Sequence, residues 1–335
     1  MEKTYNINNL KEKKILLLSP SFYNYEYEII KQLKEFGAIV DYRNSDLSAS
    51  SMNIIKIRKL LCMTAKPIID KYQSNLYDSI KGKKYDYIFV ICGWAITSSL
   101  CKKIRENNLA DGGKMILYYW DSLDRLQDDI NRWHYFDRVI SFDIDDCTRH
   151  NEQLEYLPLF YCDKYWRKDQ VVKDSHLAIV ASFMLYRYNV IKTLKKSNEN
   201  LSIKFFLRAS LMKMTFHKII HKEYRGVQLS DLAYVNMNAK EVADYLGRSC
   251  AVLDIHADKQ SGLTIRTFET LASHRKLITT NKNVKKCNFY NQADIFVLEN
   301  NFELPDKKWF EKEFTIDDKI LEEYSLSSWL LKIFQ

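Results

Sequence analysis

Short apolar runs of strand length alternate with amphipathic segments of helix length from Lys14 almost to the end of the chain. This alternation constrains the fold more than any other feature of the sequence. KILLLS, Lys14 to Ser19, is a continuous apolar run that suits a strand covered on both faces. YEYEIIKQLKEFG follows, with Ile29, Ile30, Leu33 and Phe36 at helical spacing and Gly37 as a stop. AIVDYR is the next strand. YDYIFVICGW, GKMILYYWD, DRVISFD and LEYLPLF read as further strands, with SLDRLQDDINRWHYF and IDDCTRH as helices between them. Strand, helix and strand with short joints give a parallel sheet with helices on both faces.

The alternation then restarts. HLAIVAS, LSIKFFLRAS, CAVLDIH, KLITTN and DIFVLEN read as strands, and YNVIKTLKKSN, AKEVADYLGRS and LTIRTFETLASH as helices, with LSSWLLKIF closing the chain. CDKYWRKDQVVKDS, at 162–175, is polar and without periodicity, and 335 residues suit two domains rather than one. The expected division is therefore an α/β domain over 1–165, a second over 166–320, and a C-terminal helix over 321–335 able to pack back on the first. Doubly wound sheets bind ligands at the carboxyl ends of their strands, so two such sheets facing each other predict an interdomain cleft.

Composition narrows the class. Hydrophobic residues at 46% and charged residues at 28% are ordinary for a soluble globular protein. The longest apolar run, Tyr87 to Ile96, is about half the ~20 residues that span a bilayer. The N-terminal stretch lacks the apolar core of a signal peptide, so a cytoplasmic protein is expected. Seven cysteines (62, 92, 101, 147, 162, 250 and 287) form no CxxC pair and read as reduced thiols. Seven histidines are scattered; the one HxxxH among them, His217 to His221, is HKIIH and lacks the glutamate of the HExxH zinc pattern, so no metal site is expected.

The net charge of +8 points to nucleic acid, an anionic membrane surface or phosphorylated ligands. No helix-turn-helix, RRM or zinc-finger pattern supports nucleic acid. Asn53–Ile69 and Lys213–Arg225 are basic with apolar stripes. Each either lies on an anionic membrane or packs its stripe on its own domain.

One stretch carries chemistry. CAVLDIH brings the chain to the carboxyl end of a strand, ADKQSG turns it, and LTIRTFETLASH is the next helix. The first amides of a helix lack internal partners and carry partial positive charge. Gly262 would open them to a ligand, and the hydroxyls of Ser261 and Thr264 would add donors, so an anion site is expected. The alternative is a plain capped helix start with Arg266 and Glu269 as a surface pair. From Thr264 to Glu269 is roughly 7.5 Å along a helix axis, a reach that suits a carboxylate taking ribose hydroxyls beside a diphosphate.

QSGLTIRTFETL with KLITTN resembles the C-terminal domain of GT-B glycosyltransferases, above all bacterial enzymes of capsular polysaccharide and lipopolysaccharide synthesis. ILYYWDSLDR, FDRVISFDIDDC and LEYLPLFY resemble the same group in the same order, over most of 13–300. The resemblance implies a GT-B fold of two Rossmann-like doubly wound domains. It also implies a nucleotide-sugar donor as substrate, no further cofactor, and a glycan or lipid-linked oligosaccharide as acceptor. Carried over, Gln260, Ser261, Gly262, Leu263 and Thr264 would hold the phosphates with support from Arg266, and Glu269 would take the ribose. Two departures stand out. Ser261 occupies the place of the first Glu of an E-x7-E pair, and VASFMLYRYN has bulky residues where a Gly-rich loop would be, with Arg187 as a substitute phosphate ligand. The rival readings are a GT-B-fold nucleotide-sugar epimerase and a non-catalytic module that binds nucleotide or glycan.

An inverting transfer needs a base for the acceptor proton. Asp121 ends the strand KMILYYWD and is the first candidate, although Asp is also a common helix cap; His134 and Asp124 come next. SPSFYNY, Ser19 to Tyr25, offers aromatic rings to a sugar at the first strand–helix turn. FDIDD, 142–146, contains a DxD. Because it follows a strand and opens a helix, its acids are read as helix-start residues rather than metal ligands.

Overall fold

A computed structural model describes residues 10–48, 50–52, 63–126, 130–166, 171–256, 260–299 and 302–335. The basic stripe at Asn53–Ile69 lies largely outside these residues, as does Cys62. Contacts divide the chain into two compact units. The first is Met1–Pro158 with Lys259–Gly262 and Leu326–Gln335, and the second is Leu159–Asp258 with Leu263–Ser325.

In the first unit the elements run β1 (Lys14–Ser19), α1 (Tyr25–Glu35), β2 (Ile39–Asn44), α2 (Lys66–Ile80), β3 (Tyr85–Ile91), α3 (Ser98–Asn108), β4 (Leu109–Tyr119), α4 (Leu123–Leu126), β5 (Arg138–Ser141), α5 (Ile144–Arg149) and β6 (Glu155–Tyr156). The sheet is parallel throughout, in the order β2-β1-β3-β4-β5-β6. Ile15 to Leu18 of β1 and Ile88 to Ile91 of β3 are fully buried, as expected for central strands covered on both faces. The chain moves outward from β1 to β2 and then crosses to β3 on the other side. The carboxyl ends of β1 and β3 therefore flank a topological switch point. LEYLPLF, expected as a strand, pairs only at Glu155 and Tyr156, which makes β6 a short edge strand.

The second unit contains β7 (Ser175–Ser182), α6 (Leu185–Ser197), β8 (Ile203–Arg208), α7 (Leu211–Ile220), β9 (Leu232–Ala233), α8 (Ala239–Gly247), β10 (Ser249–Asp254), α9 (Ile265–Ala272), β11 (Lys276–Thr279), β12 (Ile295–Val297), α10 (Lys307–Glu311) and α11 (Asp318–Glu322). Its sheet is also parallel, in the order β12-β11-β10-β7-β8-β9. The first three strands run one way from β7 and the last three the other way, so the switch point lies between β7 and β10. The closing helix α12 (Leu326–Ile333) belongs to the first unit, where buried Trp329 packs edge-on against Tyr118 and beside Phe89. Both units are doubly wound, Rossmann-like α/β sheets.

Candidate functional site

The carboxyl edge of the second sheet holds most of the residues singled out by sequence. Asp254 ends β10, and one of its carboxylate oxygens accepts from the Thr264 hydroxyl at 2.6 Å and the Thr267 hydroxyl at 3.0 Å. This fixes the start of α9 to the end of β10. Thr264 is the N-cap of α9, yet its hydroxyl caps no helix amide because it goes to Asp254. The amides of Leu263, Thr264 and Ile265 donate to no partner among the described residues. Three unclaimed donors at a helix start form a positive pole suited to an anion.

Arg266 and Glu269 meet as a buried pair rather than on a solvated face. Arg266 Nη1 lies 2.5 Å from Glu269 Oε2, and Glu269 is fully closed to solvent. Buried Tyr165 joins them. Burial, and then the Glu269 carboxylate beside it, push its hydroxyl well above the ordinary tyrosine range. The expected ribose contact needs an accessible carboxylate; in the structure Glu269 instead holds Arg266 in place. The cause is local. Every residue from Thr267 to Ala272 is buried, so this helix has no polar face over that span.

Arg187 lies at the switch point. Its Nε donates to the Ile255 carbonyl at 2.9 Å and its Nη1 to the Ser182 carbonyl at 3.2 Å, which ties the end of β7 to the end of β10. Next to these strand ends, His256 Nδ1 meets the Thr280 hydroxyl at 2.7 Å. At the ends of β7 and β8 a cavity of about 410 Å³ opens, lined by Phe183, Met184, Leu185, Arg208, Lys213 and His217 among others. The sequence reading missed Asp254 and Arg208, whereas Lys213 and His217 fall in the basic stripe Lys213–Arg225, which it read as a membrane or packing face rather than a cavity wall. The signal available for the first two was a charged residue ending an apolar strand, which is the mark that singled out Asp121.

Ser261 and Gly262 belong to the first unit and have a different role from the one expected. Their amides donate to Asp143 Oδ2 at 2.8 and 3.0 Å, and Ser261 Oγ donates to Asp143 Oδ1 at 2.6 Å. Asp143 also caps α5 by accepting from the amides of Asp145 and Asp146. A carboxylate of the protein therefore takes donors that the sequence reading gave to a phosphate. Gly262 is required for another reason: a Cβ there would stand 2.6 Å from the Phe142 ring and 2.7 Å from its carbonyl oxygen. Gln260 reaches back to the Gly262 carbonyl at 3.5 Å. The other inward acid of FDIDD, Asp146, accepts from the Leu123 amide at 2.8 Å and pairs with Arg149.

Asp121 follows β4 at the carboxyl edge of the first sheet, half-buried, and accepts from the Ser122 amide at 3.1 Å. The first amide of α4, from Leu123, goes to Asp146 rather than to Asp121. Asp124 is exposed and paired with Arg149 at 3.1 Å. His134 is exposed on the 3₁₀ turn Ile130–Tyr135, its ring against Tyr135. Beside Asp121, the Trp120 ring lies 5.8 Å from that of Phe22, and Phe22 meets Tyr23 edge-on at 4.7 Å. Phe22 and Tyr23 are about half exposed. Buried Glu26 holds this turn by accepting from the Ser21 hydroxyl at 2.7 Å and the Phe22 amide at 3.2 Å.

Sequence reasoning also passed over Arg132, which is wholly buried. Its guanidinium donates to the carbonyls of Gly93 at 2.6 Å and Ile96 at 3.0 Å, and to that of Cys92. Cys92 and Gly93 both have left-handed backbone, with φ of 54° and 61°, at the end of β3. The arginine thus fixes a strained turn at the switch point of the first sheet.

Two Rossmann-like units of this topology define the GT-B fold. No family model and no curated protein sequence matches the chain. Solved structures do match over nearly its whole length. AviGT4, a glycosyltransferase involved in avilamycin A biosynthesis, is 10% identical over 96% of this chain and 97% of its own, with a TM-score of 0.57. Sucrose-phosphate synthase from Thermosynechococcus elongatus is 11% identical over 96% and 93%, with a TM-score of 0.53. UDP-GlcNAc 2-epimerase from Neisseria meningitidis, bound to UDP-GlcNAc, is 9% identical over 96% and 98%, with a TM-score of 0.52. At such identities the likeness is one of fold.

Proposed function

We propose that the chain is a GT-B glycosyltransferase. It moves a sugar from a nucleotide-activated donor to a glycan or lipid-linked acceptor, in the cytoplasm, during assembly of a bacterial surface polysaccharide such as capsule or lipopolysaccharide. The observation that carries this reading is the start of α9, where the unclaimed amides of Leu263, Thr264 and Ile265 precede Arg266. In the proposal this pole takes the donor diphosphate and stabilises the charge that gathers on it as the glycosidic bond breaks. Glu269 orients Arg266, and Arg187 stands by at the switch point. The cavity at the ends of β7 and β8 falls in the size range of small-molecule sites and gives room for the nucleoside. On the first unit Asp121 takes the acceptor hydroxyl proton while that oxygen attacks the anomeric carbon. The rings of Phe22, Tyr23 and Trp120 give the sugar an apolar platform.

The second reading is a nucleotide-sugar epimerase, favoured by a fold likeness of similar strength to an enzyme of that kind. A thermal-shift screen against nucleoside mono- and diphosphates tests donor binding, because a ligand that binds only the folded state raises its melting point. Product analysis then separates the readings. Donor consumed only when an acceptor is present supports transfer. A second sugar nucleotide formed without acceptor means epimerisation, and binding without turnover means a non-catalytic module.

A further inference from the structure

Helix α7, Leu211–Ile220, turns its apolar side outward. Met212, Phe216, Ile219 and Ile220 follow one another at i, i+4, i+7 and i+8, which places them within about 100° of arc on one face. They are 82%, 58%, 71% and 54% exposed, and Leu211 at the start of the helix is 51% exposed. Met214 is the buried residue of the helix, on its opposite side. A surface helix in a globular protein has the reverse arrangement, and a contiguous exposed apolar stripe of this kind marks an interaction surface.

The surrounding charges identify the partner. Residues 208–225 contain Arg208, Lys213, Lys218, Lys222 and Arg225 against the single acid Glu223. Lys213, Lys222 and Arg225 are exposed, and Glu223 is accompanied by His221 at 3.8 Å. Lys218 is used internally: its Nζ donates to the carbonyls of Arg225, at 3.2 Å, and Val227, which draws the basic segment after the helix back against it. An apolar stripe with a basic rim matches the boundary between acyl chains and anionic headgroups. It does not match a second copy of the chain, because a symmetric pairing would set the same cations against each other. Among the described residues no helix is long and apolar enough to cross a membrane. Attachment by α7 would therefore be interfacial.

We propose that α7 docks the protein on an anionic lipid bilayer. Met212, Phe216, Ile219 and Ile220 enter the interface, and Lys222 and Arg225 meet lipid phosphates. The proposal stands apart from sugar transfer, because docking is measured without donor or acceptor. The test is co-sedimentation of the full chain with vesicles of phosphatidylcholine, with and without phosphatidylglycerol. Binding is expected only to the anionic vesicles and should weaken as salt rises. Changing Met212, Phe216 and Ile219 together to Ser should abolish binding while the melting transition stays in place, since all three are exposed. Changing Lys222 and Arg225 to Glu should weaken it by roughly thirtyfold or more, from the usual contribution of each basic residue near a charged bilayer. Failure of the wild type to sediment with anionic vesicles at low salt would overturn the proposal, as would equal binding by the Ser variant. So would a concentration-dependent dimer, seen by light scattering and lost in the Ser variant, because the face would then belong to a second copy.

Discussion

Glu269 shows how one residue's role depends on what covers its helix. By spacing it falls three residues after Arg266, and a polar face for the pair is the natural reading. That reading assumes a half-exposed helix. Helix α9 is covered on all sides from Thr267 onward, and the carboxylate ends in a buried pair with Arg266 beside Tyr165. Removing one partner of a buried pair leaves the other charge uncompensated and typically costs about 3–5 kcal/mol. Glu269→Ala should therefore lower the unfolding free energy obtained from urea titration by an amount in that range, seen as a lower midpoint, and a midpoint like the wild type's would show that the pair is solvated. Arg266→Ala also unpairs a buried charge, so affinity is the informative readout. Nucleoside diphosphate binding should fall by about 1.5–3 kcal/mol, the usual worth of a hydrogen bond to a charged group. Calorimetry showing unchanged affinity in the folded variant would remove Arg266 from the anion site.

At the scale of elements, the strands and long helices were legible because apolar runs and helical periodicity are local properties of a sequence. β1, β3, β4, β7 and β10 lie where their apolar runs place them. The short elements were less legible. Only Glu155 and Tyr156 of LEYLPLF find a neighbour to pair with, and pairing depends on the partner strand rather than on the run itself. The turn at Gly262 was legible as a close approach but not in its object. A glycine before a helix reports that something comes near, and the sequence does not say whether it is a ligand or a side chain far away in the chain. Here it is Phe142, with Asp143 taking the amides. Gly262→Ala tests this assignment. Forcing a methyl against a ring and a backbone carbonyl should cost about 1–3 kcal/mol of stability, as overpacking does. A melting transition equal to the wild type's would mean that Phe142 gives way and that the space is open to a ligand.

At the scale of the whole molecule, two sheets of doubly wound order each carry a switch point, and the side chains proposed for chemistry come from the carboxyl edges that flank them. The repeated strand–helix pattern made this architecture readable. The closing helix was expected to be able to pack back on the first domain, and 326–335 belong to the first unit; the return of 259–262 was not readable, since it depends on contacts between distant parts of the chain. If the positive pole of α9 and Arg266 neutralise the leaving diphosphate, transfer should persist in EDTA; activity lost to EDTA and restored by Mg²⁺ or Mn²⁺ would return FDIDD to consideration. The decisive substitution is Asp121→Asn. The carboxylate lies beyond the end of β4, next to the exposed rings of Phe22 and Tyr23 and the partly exposed ring of Trp120. It accepts from the neighbouring Ser122 amide, while the Leu123 amide at the start of α4 is served by Asp146. An amide of the same shape can still serve a turn or a cap, but it cannot take a proton from the acceptor. Loss of a general base typically lowers the rate by about 10²–10⁴. Asp121→Asn should therefore slow turnover by that factor, with donor affinity and melting point nearly unchanged. Near-wild-type turnover would make Asp121 a structural residue and send the search for the base to His134, because Asp124 is already paired with Arg149.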